Sequence, residues 1–299
     1  MIANAPARSV ARADGAGSGP WRMRHAFTID VEDWYDGIPV DAATKHTAER
    51  RLHIGLDRLL ALLAERSVRG TFFVLGRLAR NQSPIVRALA DGGHEVGCHG
   101  WSHDLLYMMT RERFREETMR ARDAIADVTG MPVTAYRAAY FSITRESYWA
   151  LEELAALGFR YDSSIFPVRN WRYGIPDFPR QPQRIETDAG VISELPITVR
   201  EVFGTRIPAA GGAYFRIYPY AVTRSNFHAA EDARVPVVFY LHPWELDPDH
   251  PRVPFYWKAR LTHYINLRTT ERKLRRLLQE FEFGPLSEVL EHEIPRTGS

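Results

Sequence analysis

The run Gly97-Cys98-His99-Gly100-Trp101-Ser102-His103 sets two histidines four residues apart, just after the predicted strand His94-Glu95-Val96-Gly97-Cys98. Imidazoles spaced in this way at a strand end can turn toward one point. Neutral imidazole is a good ligand for zinc and its neighbours, and two such groups plus a carboxylate leave a coordination position open for water. Two other stretches offer what the pair lacks. Asp30-Val-Glu-Asp33 upstream supplies carboxylates, and Tyr240-Leu-His-Pro-Trp244 downstream supplies a third histidine. Cys98 beside His99 invites a cysteine-nucleophile reading, but neighbours on a strand point to opposite faces, so the thiol is expected in the core. His94, behind Gly92-Gly93, reads as structural.

Outward from that stretch the pattern alternates. Ala26-Phe27-Thr28-Ile29-Asp30-Val31 reads as a buried strand ending in acids, and Leu56, Leu59, Leu60 and Leu63 follow at helical spacing. Thr71 to Leu75 is a second apolar strand. A helix beginning near Pro84 and ending at Gly92-Gly93 leads into the strand that delivers His99. A longer helix carries Phe114, Thr118, Ala121, Ile125 and Val128 on one face and closes at Gly130-Met131-Pro132. Val133 to Tyr136 is a short strand that delivers Arg137, and a helix from about Arg145 to Leu157 follows. Strands alternating with helices argue for parallel strands covered by helices, in an open sheet or a barrel. In both architectures chemistry collects at the carboxyl ends of the strands, where Asp30, His99 and Arg137 all sit.

The remainder is expected to build on this frame. Residues 166–234 break into Pro-rich and Gly-rich connections and read as a rim inserted over a single domain spanning 25–299. Val235 to Leu241 returns as a buried strand ending in His242. Residues 250–299 read as a C-terminal extension whose clear helix runs from about Thr269 to Phe281, and residues 1–24 read as a disordered leader. The 299 residues are 45% hydrophobic and 25% charged, an ordinary globular composition. A net charge of +2 gives no general field for nucleic acid. No apolar run is long enough to span a bilayer. The leader lacks the apolar centre of a signal peptide, and one cysteine excludes an intramolecular disulfide, so a cytoplasmic location is expected.

Five motifs in order, Thr28-Ile-Asp-Val-Glu-Asp33, His99-Gly-Trp-Ser-His103, Tyr136-Arg-Ala-Ala-Tyr-Phe-Ser142, Tyr161-Asp-Ser-Ser164 and Leu241-His-Pro-Trp244, together resemble the polysaccharide deacetylase (NodB-homology) family. Ser163-Ser-Ile-Phe-Pro167, Tyr173-Gly-Ile-Pro176, Gly211-Gly-Ala-Tyr-Phe-Arg216 and His242-Pro-Trp-Glu-Leu-Asp-Pro248 are similar to its exosortase-associated branch, found with exopolysaccharide genes. The resemblance covers roughly residues 25–285. It implies an α/β fold, a distorted (β/α) barrel of about seven parallel strands, and a metal-dependent carbohydrate N- or O-deacetylase.

Carried over residue by residue, the resemblance implies His99 and His103 as ligands of one divalent ion, zinc first among candidates. It implies Asp30 as catalytic base, Arg137 as the arginine orienting it, and His242 as catalytic acid. The first motif departs from its commonest form, in which two aspartates are adjacent. Alternation along an extended strand puts Glu32 on the face of Asp30 and favours it as third ligand. Asp33 is the alternative if the chain turns at once. The third motif lacks its usual proline, and Tyr140 stands where it can narrow the cleft. Glu194 and Glu245 are candidates for the acid supporting His242. Trp101, Tyr140, Tyr214 and Trp244 are candidate aromatic walls for an acetylated oligosaccharide or polysaccharide, with ordinary packing as the competing role. Two other function classes fit the residues less well: an amidase acting on a small cyclic amide or imide, and a carbohydrate-binding protein that has lost catalysis.

Overall fold

The computed structural model describes residues 23–38, 41–170 and 172–294. Eleven strands are assigned among them: β1 (Arg24–Val31), β2 (Thr71–Val74), β3 (Glu95–Cys98), β4 (Ala135–Tyr136), β5 (Tyr161–Asp162), β6 (Gln183–Thr187), β7 (Gly190–Glu194), β8 (Val199–Val202), β9 (Thr205–Pro208), β10 (Val238–Leu241) and β11 (Glu282–Gly284). The main sheet runs β10-β1-β2-β3-β4-β5-β7-β6. Every pairing from β10 to β7 is parallel, and β6 closes the edge as an antiparallel hairpin with β7.

The expected number of parallel strands, seven, is therefore present in this path. The barrel is distorted, as expected: among the described residues no ladder joins β10 to β7, so the sheet is curled into a half-barrel. Across that seam the side chain of Thr198 accepts a hydrogen bond from the Val238 amide at 2.8 Å. A side-chain bond stands there in place of the ladder that closure would need.

β1 is buried along nearly its whole length because it lies inside the sheet with helices over its outer face. The helix Leu52–Ala64 packs Leu56, Leu59 and Leu63 onto that layer. Its Gly55 lies against the backbone of the turn after β10, where an added Cβ would fall 1.8 Å from the Pro243 carbonyl oxygen. No side chain fits there, so the glycine allows the helix to touch the turn that carries His242. The helix Arg111–Thr129 buries Phe114, Thr118, Ala121 and Ile125, and the Thr110 hydroxyl caps its start by accepting from the Arg113 amide at 3.2 Å.

Three expected boundaries change. Met23 is buried and β1 begins at Arg24, before the anticipated start at His25; the rest of the expected leader lies outside the described residues. The 166–234 segment is only partly a rim, since β7 is a member of the main sheet and only β8 and β9 form a separate hairpin. The 250–299 segment is not an appendage. β11 pairs in parallel with Arg24–Ala26 of β1, and the helix Leu286–Glu293 buries Leu286, Val289 and Leu290 beneath the sheet.

Candidate metal and catalytic centre

The carboxyl end of β1 delivers Asp30 and, just beyond it, Glu32. The ends of β3 and β4 deliver His99 and Arg137, and the end of β10 delivers His242. Glu32 Oε1 lies 2.9 Å from His99 Nε2 and 2.7 Å from His103 Nε2. One donor atom from each of the three falls within 4.8 Å of the others, and all three residues are buried. His99 Nδ1 is 2.8 Å from the Arg137 carbonyl oxygen, which can only accept, so Nδ1 carries the proton and Nε2 is turned to the cluster. Burial pushes the Glu32 carboxyl up, but the His103 and His99 imidazoles outweigh it and hold the group well below the usual glutamate range. Burial likewise opposes charge on His99, and Glu32 and Asp30 reverse that to raise its pKa. Two imidazole nitrogens and one carboxylate oxygen, buried and convergent, fit a divalent ion with positions left open.

Asp33 does not join them. Its Oδ1 accepts from the Trp34 amide at 2.9 Å, and its Oδ2 accepts from the amides of Arg51 (3.0 Å) and Leu52 (3.2 Å) at the start of the helix Leu52–Ala64. The carboxylate is used up on backbone donors that the helix leaves open, which corrects its candidacy as a ligand. Burial pushes its pKa up to about 6, with Asp36 adding to that and the three amide bonds opposing it.

Arg137 is fully buried and clamped. Its Nη1 donates to Asp30 Oδ1 (2.9 Å) and to the Thr28 hydroxyl (2.8 Å); its Nε and Nη2 donate to the carbonyl and hydroxyl of Ser163 (2.9 and 3.0 Å). Asp30 Oδ2 faces His242 Nε2 across 3.9 Å. His242 Nδ1 is 2.9 Å from Glu245 Oε1, and Glu245 Oε2 accepts from Arg216 Nε at 2.6 Å. Of the two candidate supports, Glu245 is therefore the one in contact. Burial works against charge on His242, yet Glu245, Glu32 and Asp30 together raise its pKa to about 9.

Arg216 was not singled out for this role from the sequence. It is buried, and it donates through Nη1 to the carbonyls of His263 and Ile265, both at 2.9 Å. Its position in Gly211-Gly-Ala-Tyr-Phe-Arg216 gave the only signal.

The aromatic candidates separate. Tyr140 stands at the cluster, its ring 4.2 Å from that of His103 and covered by the Arg172 guanidinium at 3.8 Å. Tyr140, Phe141 and His103 all adopt positive φ (56°, 54° and 63°), a costly region for bulky residues that concentrates here. Trp101 instead packs in the helix layer, 2.6 Å from where a Cβ on Gly76 would sit, with Arg120 stacked 3.6 Å over its ring. Trp244 is buried between His242 and His263, with ring centroids at 5.4 and 4.1 Å. Trp244 is thus enclosed by its neighbours, while Trp101 stays partly exposed. Tyr214 neighbours Tyr218, with ring centroids 6.0 Å apart.

A family model for polysaccharide deacetylases matches residues 54–161, and one described as a domain of unknown function (DUF3473) matches 163–291. The chain carries a polysaccharide deacetylase domain. The chain is 31% identical over 112 residues to the peptidoglycan deacetylase of Helicobacter pylori, a match taking in 38% of this chain and 37% of that protein. It is 24% identical over 124 residues to the peptidoglycan-N-acetylmuramic acid deacetylase of Bacillus subtilis, covering 38% of this chain and 46% of that protein. The chain thus spans less than half the length of these two relatives. In fold, the crystal structure of an inferred polysaccharide deacetylase from Mycobacterium smegmatis superposes with a TM-score of 0.62 at 21% identity, over 96% of this chain and 98% of that one. The Puue allantoinase superposes with a TM-score of 0.60 at 15% identity, over 95% and 97%.

Proposed function

We propose that this chain is a metal-dependent deacetylase that hydrolyses acetyl groups, N-acetyl above all, on the sugars of an exopolysaccharide or its precursor and releases acetate. The observation that carries the reading is the convergence of Glu32, His99 and His103 on one point, with Asp30 and His242 facing each other beside them. The match of residues 163–291, together with the motifs that resemble the exosortase-associated branch, supports the exopolysaccharide.

Glu32, His99 and His103 would hold the ion, with zinc the first candidate. Bound there, a divalent ion supplies Lewis-acid polarisation of a carbonyl and acidifies a water. Asp30 takes a proton as water attacks the acetyl carbon; Arg137 fixes Oδ1 and leaves Oδ2 toward the cleft. The first amides of the turn Ala139–Phe141 have no acceptor within that turn and are candidate donors to the developing oxyanion. His242, whose Nδ1 is held by Glu245, gives its Nε2 proton to the sugar nitrogen as the C–N bond breaks. Tyr140 narrows the entrance beside His103.

The test is acetate release from N-acetylated and O-acetylated oligosaccharides, with metal content measured on the same preparation and chelator as control. The reading predicts about one ion per chain and acetate release that chelator abolishes. Metal-loaded protein that releases no acetate but opens a cyclic amide would overturn it.

A further inference from the structure

Two buried carboxyls take no part in the steps above. β5 and β7 are parallel neighbours in which Asp162 is paired with Glu194, and both side chains are fully buried. Their inner oxygens are engaged: the Ser164 hydroxyl donates to Asp162 Oδ1 at 2.6 Å, and the Ile165 amide donates to Glu194 Oε1 at 3.0 Å. Their outer oxygens, Asp162 Oδ2 and Glu194 Oε2, are buried without a donor. Neighbouring carboxylates removed from water cannot both be ionised, and a hydrogen between them would satisfy both outer oxygens at once. The groups facing them agree. Arg137 from the end of β4 is the cation acting on Asp162, and it already pairs with Asp30, while Tyr136 and Tyr148 are phenols. Burial pushes both carboxyls up, and Asp162 pushes Glu194 further.

We propose that Asp162 and Glu194 share one proton between their outer oxygens, and that this pair is the positioning element for the catalytic base and for the turn opened by Ala139. The route is short. Asp162 fixes the Ser164 hydroxyl, which accepts from the Ala138 amide at 2.8 Å. Ser163, held in the same segment, grips Arg137 by its carbonyl and hydroxyl, and Arg137 orients Asp30. The positioning half rests on the deacetylase reading; the shared proton does not.

The substitutions discriminate by hydrogen-bond parity. In Glu194→Gln the amide oxygen still accepts from Ile165 while the amide nitrogen donates to Asp162 Oδ2, replacing the shared proton. Asp162→Asn does the same in reverse. The double variant sets two NH2 groups against each other with no acceptor. Each single variant is expected to melt within about 3 °C of the parent, and the double at least about 5 °C below the sum of the two. The parent should lose stability as pH climbs above the ordinary glutamate value of 4.5 toward the raised folded value, and each single variant should lose that dependence. Additive melting shifts, or an unchanged pH dependence in the singles, overturns the shared proton. If the double does not fold, the pH dependence of the singles decides. For positioning, Glu194→Ala should lower kcat for acetate release at least tenfold with KM nearly unchanged, and Glu194→Gln should restore it. An alanine variant with parental kcat, or parent protein that releases no acetate, overturns the positioning half. The melting experiment stands apart from both of those outcomes.

Discussion

The first contrast is between two adjacent acids. Glu32 and Asp33 share a charge and a neighbourhood, yet one meets two imidazoles and the other caps a helix. Replacing Glu32 by Gln, or His99 by Ala, is expected to reduce bound metal at least tenfold by elemental analysis. Asp33→Asn should keep the metal but turn an NH2 against a backbone amide donor, at a cost of about 1–2 kcal/mol of folding stability, read by denaturant unfolding. Glu245 gives a second prediction. Against burial, its carboxylate acts with Glu32 and Asp30 to raise the His242 pKa to about 9, so the acid form persists into the alkaline range. In Glu245→Gln the alkaline limb of the kcat profile should move down by at least one pH unit, with at least about a twofold loss at pH 8 and little change at pH 6. A raised histidine pKa also means that its stabilising contribution is complete below 6.5 and lost as pH rises through about 9. At this scale the sequence was legible where strand alternation decides direction, as for Asp30 and Glu32. It was not legible for Trp101 and Trp244, since an aromatic side chain carries no sign of whether it faces a groove or a neighbouring helix.

Among elements, the helix Leu52–Ala64 and the turn Pro243–Leu246 form the contact that places His242. Gly55→Ala has no room at the Pro243 carbonyl, so helix and turn must part. We expect a loss of about 1–3 kcal/mol in stability together with reduced kcat, measured by unfolding and acetate release on the folded fraction. A variant that is destabilised yet keeps parental kcat would show that His242 is held without this contact. The apolar runs before Asp30, His99 and His242 announced their strands, and each does end at the site. β4 and β5 are only two residues long, and their boundaries had no periodic signal to show them. Arg216 was hidden for another reason. It is recruited by an acid 29 residues later and by carbonyls near residue 264, and pairing at that distance leaves no local pattern.

For the whole molecule, layer order and the count of parallel strands were readable, because alternation of strand and helix constrains both. How far the barrel closes depends instead on whether two distant edges find a ladder, and here they meet through Thr198. The C-terminal segment joins the main sheet through a strand of three residues, which in the sequence looks like the end of a helix. Ending the chain after Phe281 would uncover the Arg24–Ala26 stretch of β1 and remove Leu286, Val289 and Leu290 from the core. That truncation is expected to yield insoluble protein, checked by the soluble fraction on expression; a folded, monodisperse product would contradict it.

β1 is flanked by β2, β10 and β11, two of which lie at the far end of the polypeptide. During translation β1 must therefore wait, sticky and half-matched, until more than two hundred further residues have been made. Contacts so remote in sequence slow folding, so a nascent chain of this architecture is a natural client for holding chaperones.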